Sequence, residues 1–254
     1  MARTLLGTLL SGLDGSLPAP PHSIPVSRHF DTMTQPLHPD PSRSALLIID
    51  MQPDFMPGGA LPVQAPHPAE IIAPVRALME AGTLPLQIAT QDWHPPGHVS
   101  FASRHDDKQP FDEIRLHGHP QTLWPDHCVQ GSAGAELHDG LDLNRLAAII
   151  RKGDDPDVDS YSGFHNNWNA AGERPSTGLA GYLRDRGVDT VFCCGLARDV
   201  CVKWTAEDAA AAGFTTRVVW DLTWPVDGDN DAKVRDELGA AGVVLVDADQ
   251  LLAR

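Results

Sequence analysis

Six short apolar runs recur along the chain and set what it can fold into. They lie at 45–50 (ALLIID), 84–90 (LPLQIAT), 146–151 (LAAIIR), 190–195 (TVFCCG), 216–221 (TRVVWD) and 243–246 (VVLV). Each is rich in Ile, Val or Leu, and none alternates cleanly between apolar and polar residues. A strand covered on both faces reads this way, because neither side of it needs to meet water. Helical periodicity occupies 68–81, 176–186, 199–212 and 230–241. The first three of these close on Gly82, Gly187 and Gly213, the residue type that best accepts the turn after a helix. Strand and helix thus alternate, which predicts an α/β fold around a parallel sheet.

Two stretches break that rhythm. Residues 91–145 carry seven histidines and several prolines, and 152–175 form a second excursion. Loops this long inside a compact domain are usually functional or disordered. Ligands of open α/β sheets bind beyond the carboxyl ends of the strands. Asp50, Asp92, Lys152 and Gly195 all fall at or just past such ends, which places four candidate regions on one rim.

The chain of 254 residues is long enough for one sizeable core; a domain of that size buries roughly 70–75% of its unfolded surface. Its formal charge of −15 argues against nucleic acid or an anionic membrane as partner, since both call for a basic face. No apolar run approaches the roughly 20 residues needed to span a bilayer. The four cysteines (Cys128, Cys193, Cys194, Cys201) include no CxxC pair and give no disulfide framework, so a reducing, cytoplasmic setting is expected. Residues 1–43 open with a mildly apolar stretch and continue rich in Pro, His and Ser without a period. They read as a loosely packed extension to a domain at 44–254, with Met33 an alternative start of translation. No interface signal fixes an oligomeric state.

Candidate chemistry gathers on the rim. Cys201 sits in the first turn of a helix starting near Arg198 or Asp199. The helix N-terminus favours thiolate over thiol and offers unpartnered N–H groups to an oxyanion, so Cys201 reads either as a nucleophile or as a buried, inert cysteine. Asp50 is a strand-end carboxylate, or a base that accepts the thiol proton. Lys152 alone reads as a surface charge; between Asp50 and Cys201 it stabilises the negative charge they share. Asp92 and His94 are two apart in extended backbone and project to one side. With His127 from LWPDHCVQG they supply two imidazoles and a carboxylate, a set that suits Zn, Fe or Mn. His98 is a fourth ligand or an outer neighbour. The alternative is a histidine-rich loop that is merely polar. Phe55, Trp124 and Tyr161 wall a pocket for a flat ring, or fill core space.

Taken together, the segments ALLIIDMQPDFMPGGALPV (45–63), TQDWHPPGHVSFAS (90–103), LWPDHCVQGSAGAELH (123–138), RKGDDPDVDSYSGF (151–164) and CGLARDVCVKWTAEDA (194–209) resemble the nicotinamidase branch of the isochorismatase-like cysteine hydrolases. The resemblance runs in order over 45–246. It implies a three-layer α/β/α domain with a six-stranded parallel sheet. It implies hydrolysis of nicotinamide to nicotinate and ammonia through a cysteine thioester, in NAD salvage. Carried over residue by residue, Asp50 is the general base, Lys152 the triad lysine and Cys201 the nucleophile. Asp92, His94 and His127 hold one divalent ion, zinc first, with iron or manganese as alternatives. A cis peptide between Leu196 and Ala197 turns the Ala197 and Cys201 N–H groups toward the oxyanion, and Phe55, Trp124 and Tyr161 form pocket walls. The chain departs from many relatives at His165 and Asn166 after YSGF, and at Val200 before the nucleophile. Rival readings are an amidase of the same family acting on a carbamoyl or other carboxamide substrate, and a non-catalytic metal-binding protein.

Overall fold

The structure, a computed structural model, describes residues 37–252. Eight strands and five helices follow in chain order. They are β1 (Ser44–Ile49), α1 (Pro68–Ala81), β2 (Leu86–Asp92), β3 (Glu113–Leu116), β4 (His119–Thr122), β5 (Leu146–Lys152), α2 (Leu179–Arg184), β6 (Thr190–Leu196), α3 (Lys203–Ala211), β7 (Thr215–Trp224), α4 (Asp231–Ala240), β8 (Val244–Val246) and α5 (Ala248–Leu252). All six apolar runs became strands of one sheet, ordered β5-β2-β1-β6-β7-β8 and parallel throughout.

The lack of alternation has the expected cause. Every residue of β1 is buried. Leu46 and Ile48 pack on one side of the sheet with Ile71, Val75 and Leu78 of α1 and Leu251 of α5. Ala45, Leu47 and Ile49 pack on the other with Leu179 and Leu183 of α2, Ala206 of α3 and Val234 and Leu238 of α4. The result is three layers, α/β/α, with two apolar cores. Each core atom pair gains little, but burial of roughly 25 cal/mol per Å² across two sheet faces dominates the folding energy.

Local signals set the element ends. Pro68 opens α1, where its missing N–H costs nothing, and the His67 ring accepts from Ala69 N at 3.1 Å. Gly82, Gly187 and Gly213 all adopt positive φ. The helix expected over 176–186 is shorter, Leu179–Arg184, because Gly178 before it sits at φ 91. Two elements were not anticipated: the antiparallel ribbon β3–β4 inside the histidine-rich stretch, and the short α5.

Of the segment expected to pack loosely, residues 1–36 lie outside the described residues, and with them Met33. Within 37–43, Leu37 N donates to Gln250 O at 2.7 Å and Arg43 pairs with Asp189. No helix among the described residues is long and apolar enough to cross a membrane.

Candidate active site and metal centre

The strand order reverses direction between β1 and β6, and the carboxyl ends of β5, β2, β1 and β6 lie side by side. Lys152 and Asp92 are the last residues of β5 and β2. Asp50 follows β1, and Cys201 lies five residues beyond the end of β6. Adjacent strand ends therefore deliver Asp50, Asp92, Lys152 and Cys201 to one crevice, as open parallel sheets do.

Asp50 takes a left-handed φ of 45. Thr90 on the neighbouring strand holds it: Asp50 N donates to Thr90 Oγ1 at 3.1 Å, and that hydroxyl donates to Asp50 Oδ1 at 2.5 Å. Lys152 is wholly buried, not a surface charge. Its Nζ lies 2.8 Å from Asp50 Oδ2 and 2.9 Å from Asp92 Oδ1, donates to Ser160 O at 3.1 Å and reaches Cys201 Sγ at 3.4 Å. Burial alone would lower the lysine pKa, yet the two carboxylates outweigh it and hold the ammonium charged well above its usual range. Burial raises the Asp50 carboxyl, with Lys152 opposing.

Cys201 corrects one expectation. Its thiol is pushed well above the usual cysteine value, first by burial and then, against the pull of Lys152, by Asp50 and Asp92. Burial thus favours the thiol over the thiolate at rest. The turn that carries it is also not the first turn of an α-helix. Val202 N donates to Ala197 O at 3.0 Å, an i→i+5 bond, so residues 198–202 form a wider π turn before α3 begins. Two side chains pin that turn. Arg198 Nε donates to Thr223 Oγ1 at 2.9 Å, and the Asp199 carboxylate accepts from Val226 N and Asp227 N, each at 2.9 Å. The Leu196–Ala197 peptide is cis.

Asp92, His94 and His127 converge. Their ligand atoms all lie within 4.8 Å of one another, and all three residues are buried. His94 Nδ1 is 2.9 Å from Gly153 O, and His127 Nδ1 is 2.8 Å from Pro125 O. A carbonyl oxygen only accepts, so each Nδ1 carries a proton and each ring turns its Nε2 inward. Those nitrogens stand 3.2 Å and 3.6 Å from Asp92 Oδ2. Three acceptors facing one another need positive charge between them. A proton on His94 supplies it in one form: burial disfavours the imidazolium, but Asp92 outweighs burial and raises its pKa. A divalent ion supplies it in another, and the donor set fits one. His98 stands outside this trio. Its ring lies 4.3 Å from that of His94, and its Nδ1 is 2.7 Å from Ser100 Oγ.

A partly open pocket joins the two groups. Asp92, His127, Ala197 and Cys201 line it, and Phe55, Trp124 and Tyr161 form walls. These aromatics are not exposed loop residues: Phe55 and Trp124 are buried, and Phe55 meets the His127 ring edge-on at 5.4 Å. The Tyr161 hydroxyl accepts from Gln121 Nε2 at 2.8 Å and Trp124 Nε1 at 3.2 Å. Asp159, Leu61, Val200 and Val226 also line the cavity and were not anticipated. Asp159, two residues before Tyr161 in DSYSG, was the one with a usable signal, being an acid inside an aromatic-bearing excursion.

The isochorismatase domain family matches residues 44–250. A nicotinamidase of Acinetobacter baylyi is 45% identical over 210 residues, 82% of this chain and 94% of that protein. A crystal structure of PnC1 from L. infantum in complex with nicotinate aligns with a TM-score of 0.73 at 39% identity, covering 85% of this chain and 98% of that one. The pyrazinamidase of Pyrococcus horikoshii in complex with zinc aligns at 0.63 and 36% identity, covering 81% and 99%.

Proposed function

The chain belongs to the isochorismatase family, in its nicotinamidase branch, and we propose that it hydrolyses nicotinamide to nicotinate and ammonia. It is an amidohydrolase of the kind its relatives are. One observation supports the specific reading above all: a single pocket has Cys201 and the Asp92–His127 pair in its lining, with three aromatic walls around it. Nicotinate in the L. infantum structure and zinc in the P. horikoshii structure support the same substrate class and a metal in the site. Zinc is the first candidate, with iron or manganese accepted by the same donors.

In this proposal Asp92, His94 and His127 hold the divalent ion, which when bound offers a Lewis-acidic anchor for a pyridine nitrogen. Phe55, Trp124 and Tyr161 confine the ring plane, so the carboxamide carbon faces Cys201. Confinement of that kind is worth several kcal/mol of barrier. Asp50 takes the proton from Cys201, and the sulfur attacks the carbonyl carbon. Ala197 and Cys201 N–H groups receive the oxyanion; one such donor typically contributes about 2.7–4 kcal/mol. Asp50 gives its proton to the departing nitrogen, which leaves as ammonia, and a thioester remains. Asp50 then deprotonates a water that attacks the thioester, and the thiol returns as nicotinate departs. Lys152 stays protonated throughout and balances whichever of Asp50 and Cys201 is negative. The product is a precursor of pyridine nucleotides, which places the reaction in NAD salvage. A cytoplasmic setting belongs to the same proposal and is supported by four cysteines that are all unpaired thiols.

Ammonia release on adding nicotinamide tests the reading. Cys201→Ala should abolish release while the protein still binds one equivalent of metal. Near-normal turnover by that variant would show the covalent scheme to be wrong.

A further inference from the structure

Residues 50–55 supply Asp50 and Phe55 to the site, and two further polar side chains among them, Gln52 and Asp54, have no place in the reaction above. Gln52 is fully buried. Its amide lies along the backbone of Asp92: Oε1 accepts from Asp92 N at 2.7 Å, and Nε2 donates to Asp92 O at 2.8 Å. The same Nε2 donates to Ala135 O at 2.8 Å. Asp54 reaches the other ligand segment, where its Oδ2 accepts from Cys128 N at 2.7 Å. Cys128 follows His127 and takes a left-handed φ of 46. A non-glycine residue stays in that region only where its surroundings hold it. Gly134 makes room for this contact. A Cβ there would fall 2.2 Å from the Asp54 carboxylate, so no other residue lets the acid lie so close. Neither Gln52 nor Asp54 lines the cavity.

We infer that Gln52 and Asp54 are positioning residues for the metal centre. Gln52 fixes the strand end that presents Asp92, and Asp54 fixes the turn that presents His127. Ligand atoms on two separate segments, one carrying Asp92 and His94 and the other His127, must hold their spacing to a few tenths of an ångström for a closed coordination shell. Here one short segment, which also carries Asp50, keys both of those segments to itself. The inference rests on the reading of Asp92, His94 and His127 as metal ligands.

The test uses the full chain, stripped by chelator and titrated with Zn²⁺ and with Co²⁺ against a chromophoric competitor. Asp54→Ala, Gly134→Ala and Gln52→Met should each weaken Zn²⁺ binding by about 10–100-fold, the usual effect of losing a group that orients a ligand. The visible absorption of bound Co²⁺ should change in the same variants, since it reports ligand geometry. Asp54→Asn keeps an acceptor for the Cys128 N–H and should keep wild-type affinity and spectrum. A merely structural role would lower the melting temperature and leave the affinity of the folded protein alone. Unchanged affinity in folded Gly134→Ala and Gln52→Met overturns the inference, and so does an Asp54→Asn loss as large as that of Asp54→Ala. Should Asp54→Ala not fold, Gly134→Ala against Asp54→Asn decides the matter. Wild-type protein that binds neither ion sinks the underlying metal reading instead.

Discussion

Replacing Lys152 by Met removes the cation that, among the described residues, touches both carboxylates, at nearly constant volume. Nζ stands 2.8 Å from Asp50 Oδ2 and 2.9 Å from Asp92 Oδ1, with no solvent contact. At an effective dielectric of about 20, each pair attracts by roughly 6 kcal/mol. That gross figure overstates the loss, because the cost of burying the ammonium disappears with it. Asp92 also keeps His94 and His127 beside it, while Asp50 keeps only the Thr90 hydroxyl and the thiol. Asp50 is thus the group left stranded, and breaking a buried pair in this way costs about 3–5 kcal/mol. Urea unfolding with chelator present for both proteins measures it, since bound metal would add its own stabilisation. The pH dependence has a definite sign. In the wild type Lys152 is raised above its unfolded value, so its contribution is complete below about pH 10 and does not vary from pH 5 to 8. In the variant, Asp50 stands further above its unfolded value of about 3.9, and the stability of its protonated form fades as pH rises through the folded pKa. The gap between the proteins should therefore widen from pH 5 to pH 8. Lys152→Met combined with Asp50→Asn should recover more than about 1 kcal/mol of the loss. A deficit below about 1 kcal/mol at pH 8, or one independent of pH, refutes this account of the triad.

Three further outcomes follow from close contacts and burial. Gly195 has φ 109, and a Cβ there would lie 2.2 Å from Ile49 O on the central strand, so Gly195→Ala should destabilise by more than about 3 kcal/mol in urea unfolding. Gly153→Ala places a Cβ 2.5 Å from His94 Cε1 and should weaken Zn²⁺ binding at least about tenfold in a chelator competition, with the fold retained by circular dichroism. Burial pushes the Cys193 thiol up to about 12, and Cys194 higher still, so iodoacetamide at pH 8 should leave both unlabelled in native protein, by peptide mass spectrometry, and label them in urea.

The sheet was readable because burial on both faces erases alternation, and β1, β2 and β6 are the strands where this holds most fully. At the edge, β5 alternates between partly buried and exposed residues, and its Ile149 is exposed, yet its run of apolar residues still marked it. The ribbon β3–β4 escaped because its strands are four residues each and polar, with Pro120 in the second. Its signal was the two-residue turn: His117 and Gly118 both take positive φ, as a tight hairpin turn demands. The candidate residues Asp50, Asp92 and Lys152 stood out because each closes or follows a strand. Thr90, Gln52, Asp54 and Gln121 did not, because each meets the site through a partner 38 to 74 positions away. An amide or hydroxyl in a buried strand looks the same in sequence whether it orients a carboxylate or closes a loop.

Cys201 shows why that distinction matters for mechanism. Reasoning from a helix N-terminus predicts a thiolate at rest, since the first turn carries partial positive charge. The residue instead sits in a π turn, buried, with two carboxylates and one ammonium in reach, and burial leads the groups that keep it protonated. Burial also raises Asp50. The two shifts are complementary in the proposed reaction. Moving the proton from Cys201 to Asp50 relieves the carboxylate that burial disfavours and creates the thiolate beside Lys152. The sum over Asp50, Asp92, Lys152 and Cys201 is −1 before the transfer and −1 after it. No charge has to enter or leave the buried cluster, so the step needs no solvent reorganisation around it. The thiolate then exists only while a carbonyl stands ready, which protects the sulfur from adventitious oxidation between turnovers.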